Sequence, residues 1–161
     1  MSNKVQIYQP AQGVSLVDIR MDAQRFPRLR NIQPAAAIAK LREIVAMAYT
    51  YTGRPVDDTR LGVVAAALHA ELMQDSRGIG TDNITVDEIG HAVRTAVLNA
   101  GDMYISIATL FNAICSYCTG EGHDAQVQAD SRHRAERERL LADSPAGALM
   151  RNYETQMLSR K

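Results

Sequence analysis

Apolar positions along the chain recur at helical rather than strand spacing. Behind Pro34, which suits a first helical position, Ile38, Leu41, Val45 and Ala48 return every three or four residues. This predicts a helix from Gln33 to Tyr51, closed by Gly53 and Pro55. Asp57, Asp58 and Thr59 open a second helix with capping side chains and acid at the positive end of the dipole. Leu61, Val64, Ala65, Leu68 and Leu72 form its stripe. Thr85 and Glu88 make a T-x-x-E capping box, with Ile84 and Ile89 placed for the accompanying hydrophobic staple. Val86, Ile89, Val93, Ala96 and Val97 then run to Gly101. Ser106 caps a fourth helix with Ile107, Leu110, Phe111, Ile114 and Cys118 on one face, ended by Gly120 and Gly122.

The flanks are less regular. Val5, Ile7 and Tyr8 suit a short extended piece before Pro10. Ser15 caps a short helix to about Arg25, with Leu16, Ile19 and Ala23 inward and Pro27 as its stop. Gly78 and Gly80 mark Asp75 to Asn83 as a flexible loop. It is no phosphate loop, since no Lys-Ser or Lys-Thr follows. From Asp124 to Arg139 the only apolar residues are Ala125, Val127, Ala129 and Ala135, and Asp130 and Arg134 are spaced as an i,i+4 pair. That pattern suits a solvated helix or a partly disordered arm. After Pro145, Leu149, Met150, Tyr153 and Met157 predict a last amphipathic helix. The expected fold is therefore all-α: a compact helical bundle at 33–120, preceded by a basic segment with a short helix at 1–32. A polar C-terminal arm, extended or helical, follows at 121–161 and carries the final helix.

Composition narrows the classes. With 161 residues, 46% of them hydrophobic and 22% charged, one core forms without disulfide or metal staples. Aromatics are 5% and Trp is absent, so that core rests on aliphatic residues and Met. The formal net charge is zero, yet residues 1–54 carry +5 and residues 55–120 carry −5, an asymmetry suited to self-association or a local basic site. No apolar run in the first residues resembles a signal peptide, and Val63 to Leu68 is far short of the ~20 residues of a membrane span. The expectation is a cytoplasmic protein with no membrane association.

Candidate chemistry is sparse. Cys115 and Cys118 form a lone C-x-x-C that His123 could complete as a zinc site. The alternatives are a redox pair or two small buried hydrophobes. Glu88-x-x-His91 has the spacing of a di-iron motif, but such a bundle needs a second copy and two further carboxylates. Arg20, Arg25, Arg28 and Arg30 surround Phe26 and Leu29, the best candidate contact for single-stranded nucleic acid, although Asp18 and Asp22 dilute it. No nucleophile or metalloprotease motif accompanies His69 or any other histidine, so no catalytic residue and no cofactor are expected.

The stretch Thr85-Val-Asp-Glu88-Ile, Ala92, Ala96, Tyr104, Ile107-Ala-Thr-Leu-Phe111 and Tyr117 resembles small helical replication-associated proteins of phages and mobile elements, described as helicase-loader-like. The resemblance covers roughly residues 85–117. It implies a non-enzymatic adaptor in DNA replication that touches a replicative helicase, single-stranded DNA or both. With no ATPase motif, an ATP-driven loader is excluded. The expected docking element is the final helix, through Leu149, Met150, Tyr153 and Met157, against a protein partner or another copy of the chain.

Overall fold

Seven α-helices make up the regular structure of residues 6–158, the part of the chain that the computed structural model describes. They are α1 Leu16–Met21, α2 Pro34–Tyr51, α3 Asp58–Gln74, α4 Val86–Ala100, α5 Ile107–Thr119, α6 Glu121–Asp143 and α7 Pro145–Leu158. The fold is all-α, as the spacing predicts. Among these residues there is no strand, only an isolated antiparallel bridge between Arg28 and Thr85. Val5, expected to begin an extended piece, lies outside the described residues.

The core is organised around α2. Every side chain from Ile44 to Tyr49 is buried, and a helix apolar around its circumference needs neighbours on all sides. α3 and α4 pack against it, and Tyr8 donates its backbone N–H to the Glu43 carbonyl at 3.2 Å. The predicted stripes of α3, α4 and α5 meet there in one continuous cluster with Leu29 and Ile84, apart from Ala96 of the α4 stripe, which is half-buried outside it while Ala92 takes part in its place. Each fully buried Leu or Ile contributes roughly 1.5–3 kcal/mol, so this cluster outweighs any single polar contact in holding the bundle.

Helix starts follow the local code. Ser15, Asp57, Thr85 and Ser106 each accept a hydrogen bond from the amide three residues on. At Ser15, Thr85 and Ser106 the reciprocal bond closes a capping box. Ile84 and Ile89 are both fully buried, as the staple requires.

Four local expectations are corrected. α1 stops at Met21, because the Asp22 carboxylate accepts from the Arg25 N–H at 3.0 Å and turns the chain; Phe26 goes inward and Ala23 stays exposed. The glycine-rich stretch 75–83 is a closed turn rather than a flexible loop, since the Asp75 carboxylate gathers the N–H groups of Ile79, Gly80 and Thr81 at 3.1 Å. Gly120 and Gly122 end α5 only to begin α6, which is one continuous helix. A Cβ on Gly122 would stand 2.6 Å from the Tyr117 ring, so glycine allows the two helices to meet here. Asp130 accepts from Gln126 at 2.7 Å instead of pairing with Arg134.

The arm is anchored at its base. Ala125 and Ala129 of α6 are buried against Val17, Leu16 and Met21. From Asp130 to Asp143 every residue is exposed. Ser144 then breaks the helix and caps the next one, its hydroxyl accepting from Gly147 N–H at 3.1 Å. Among the described residues, no helix is long and apolar enough to cross a membrane.

Candidate functional site

Glu88 is the convergence point of the polar residues, and it is fully buried. The capping box aims its carboxylate back at Thr85, whose N–H donates to Oε2 at 2.9 Å. That direction also points it at the N-terminal arginines. Arg20 Nε donates to Oε1 at 2.5 Å, Arg28 Nη1 reaches Oε2 at 3.5 Å, and the Tyr117 hydroxyl donates to Oε1 at 2.8 Å. Arg28 also donates to the Arg20 carbonyl at 3.2 Å, and Arg20 to the Gln126 side chain. One carboxylate thereby ties α1, α4 and α5 together, with Arg20 carrying the link on to the base of α6, and its lone pairs are filled by guanidinium, hydroxyl and backbone N–H donors. Burial, then the adjacent Glu88 carboxylate, raises the Tyr117 hydroxyl far above its ordinary range and keeps it a donor.

This network divides the predicted arginine site. Arg20 and Arg28 have side chains only 8% and 14% exposed and are committed to Glu88, so they are not available to a phosphate backbone. Arg25 lies over the Phe26 ring at 5.0 Å, and Arg30 reaches Asp82 at 4.0 Å. The four guanidinia do not form one basic surface. Of the acidic–basic asymmetry, the Arg20, Arg28 and Glu88 group is buried, while the other pairs between the two segments, Arg30–Asp82, Arg42–Asp58 and Arg54–Asp102, lie on the surface.

Nor do the predicted metal ligands converge. Cys115 is buried, Cys118 is half-buried, and His123 is exposed on α6 beyond the Gly120 junction. His91 points at Glu121, 3.0 Å away, not at the ligands of Glu88. Among the described residues no three His, Cys, Asp or Glu side chains are grouped to hold a metal ion. Burial pushes the Cys118 thiol up to about 12 and raises Cys115 as well, which makes both poor nucleophiles at neutral pH. Because the folded chain retains the Cys118 proton while an unfolded thiol ionises near 8.5, stability should be full below about pH 8.5. It should fall as pH rises from there toward 12. Urea midpoints measured from pH 8 to 11 should show this decline and lose part of it in Cys118→Ala. A flat profile would contradict it.

A surface cavity of ≈ 480 Å³ lies beside the N-terminal segment, lined by Ile7, Tyr8, Arg25, Pro27, Lys40 and Asp87 among others. Its Tyr8 hydroxyl donates to Asp87 at 3.0 Å and Lys40 pairs with Glu43 at 3.5 Å, so these two polar groups already have partners.

The C-terminal arm differs from the rest of the molecule. Leu149, Met150, Tyr153 and Met157 are 71%, 64%, 63% and 52% exposed, and their spacing places them on one face of α7. Leu140 and Leu141, at the end of α6, are 63% and 61% exposed. Six large apolar side chains thus lie uncovered within two turns of the α6–α7 junction or along α7 itself. Helical spacing predicts the α7 face, and the outer part of α6 is the solvated helix its composition suits. Leu140 and Leu141, two adjacent apolar residues behind a run of charges, form no periodic stripe that would mark them. Comparison with known proteins finds no matching family model, no matching curated protein and no matching solved structure.

Proposed function

We propose that this chain is a non-enzymatic interaction module: a helical body, α1 to α5, that holds out the α6–α7 arm as its docking element. The exposed face of Leu149, Met150, Tyr153 and Met157 carries this reading. Isolated apolar residues on a surface need no explanation, but a contiguous apolar patch of a few hundred Å² marks a contact site. An amphipathic helix presenting anchors at this spacing fits an apolar groove on a partner protein. The resemblance at residues 85–117 suggests a replicative helicase as that partner and adaptor work in DNA replication as the setting. The direct nucleic-acid reading is weaker, because two of its four arginines serve Glu88.

Affinity capture from nuclease-treated lysate of source cells, using the full chain and its Leu149→Ser/Tyr153→Ser variant, tests the proposal. Both side chains are exposed, so the variant should keep its stability within about 0.5 kcal/mol. A helicase or replication protein retained by the native chain and lost to background with the variant is the expected result. Equal recovery with both chains would sink the docking role of α7.

A further inference from the structure

The outer half of α6 has a charge order that complements itself. Ala125 and Ala129 define the face that packs on α1. Continued at helical spacing beyond the body, the same face carries Arg132, Glu136, Arg139 and Asp143, four charges of alternating sign, with Leu140 beside them. All five are exposed. Arg132 reaches Asp18 at 3.4 Å and Arg139 reaches Asp143 at 4.0 Å, both pairs with more than half of each side chain in solvent. Such exposed pairs are weak and exchange readily for others.

Reversing the helix direction turns the order plus, minus, plus, minus into its complement. Two copies of α6 laid antiparallel, with a two-fold axis between Arg137 and Glu138, bring Arg132 opposite Asp143 and Glu136 opposite Arg139. Each contact then occurs twice, as an isologous interface requires. A groove of ≈ 360 Å³ on this stretch is lined by Ala135, Glu136, Arg139 and Leu140, and this register matches its two charged residues, Glu136 and Arg139, to each other. A partner of one charge sign would meet repulsion at every second position of the face.

We infer that the occupant of the α6 groove is a second copy of this chain, paired antiparallel through residues 132–143. The inference rests on reading the arm as a docking element, and it assigns α6 to self-association while α7 remains free for another protein. The pairing is salt-sensitive, since its polar contacts are exposed.

Sedimentation or light scattering of the purified full chain, from about 1 to about 100 μM, reads the association directly. The expected mass at the upper end is twice 17.7 kDa. Glu136→Arg and Arg139→Glu alone each replace two opposite-charge contacts by two like-charge ones, and each should weaken dimerisation at least tenfold. Mixed in equal amounts, the two variants should form a heterodimer, and the double reversal E136R/R139E should dimerise like the native chain. All three retain exposed side chains, and circular dichroism confirms their helicity. A native chain that stays at 17.7 kDa throughout overturns the inference. So do single variants that dimerise unchanged, or a mixture that remains monomeric. A monomeric native chain that still captures a protein through Leu149 and Tyr153 overturns only the self-pairing. A monomeric chain whose capture ignores those residues overturns the docking arm as well.

Discussion

Replacing Glu88 by alanine is expected to lower the unfolding free energy by about 3–5 kcal/mol, the cost of leaving buried charges without their partner. Arg20 and Arg28 would face each other across the vacated position with side chains 8% and 14% exposed. The Tyr117 hydroxyl and the Thr85 N–H would also lose their acceptor. Against a total stability of 5–15 kcal/mol typical of a domain, the loss is a large fraction. Glu88→Gln separates the two duties of this residue. A glutamine oxygen can still accept from Thr85 N–H and keep the cap, whereas its NH2 group cannot accept from a guanidinium. The glutamine variant should therefore lie between native and alanine, with most of its loss due to the arginines. Urea unfolding with a fixed m-value reads both changes. A loss below about 1 kcal/mol for alanine would mean that water solvates the arginines in its place, and the network would not be the tie between α1 and α4. The same experiment bears on the arginine segment as a nucleic-acid site. Arg28→Ala breaks this centre, so weakened DNA binding in that variant would report damage to the fold as readily as a lost contact.

Much of the architecture was legible because its signals are local. The caps at Asp57, Thr85 and Ser106 and the stripes behind them depend on residues within one or two turns, and the structure follows them closely. Sites assembled from distant segments were not legible. Glu88 read as a capping residue and the Arg20–Arg30 segment as a free basic patch. Nothing in the spacing says that the two lie on facing surfaces, with Arg28 bridged to Thr85. Cys115 and Cys118 show the opposite case. Cys118 on the apolar stripe of α5 and Cys115 beside it already favoured burial, and burial is what the fold gives Cys115 in full and Cys118 in part. In α6 the small residues Gly122, Ala125 and Ala129 were too inconspicuous to announce packing, although Ala125 and Ala129 let α1 lie close and Gly122 lets the Tyr117 ring of α5 lie close. The α7 face was readable from spacing alone, but spacing cannot say whether a face is covered. Its exposure is information that only the fold supplies.

Asp75→Ala should cost about 3 kcal/mol, combining amides left without an acceptor and a Cβ-bearing residue held in the left-handed region without a side-chain anchor. Asp75 has φ 43°, the one positive φ among non-glycine residues described here. Its carboxylate accepts from three successive backbone N–H groups, Ile79, Gly80 and Thr81. Thr81 is fully buried, and its hydroxyl donates to the Leu72 carbonyl at 2.7 Å, tying the turn to the end of α3. Two further variants divide the effect. Asp75→Gly adopts the same backbone without steric cost but supplies no acceptor, so it should recover about 1 kcal/mol relative to alanine. Asp75→Asn tolerates the left-handed conformation and keeps one acceptor oxygen, so it should lose least. Acid adds an independent reading. Burial raises the Asp75 carboxyl, but the N–H groups of Thr81 and Gly80, the Thr81 hydroxyl and the Ile79 N–H outweigh it and hold the group below the usual carboxylate range. The unfolded chain then binds the proton first as pH falls. This contribution is present above about pH 4 and lost as pH drops through the folded value. Asp75→Asn should flatten that part of the acid limb, and hydrogen exchange at Gly80 and Thr81 should accelerate in the alanine and glycine variants. If alanine and glycine unfold alike and close to the native chain, the carboxylate is not what closes this turn, and its glycines leave it as loose as their number alone would suggest.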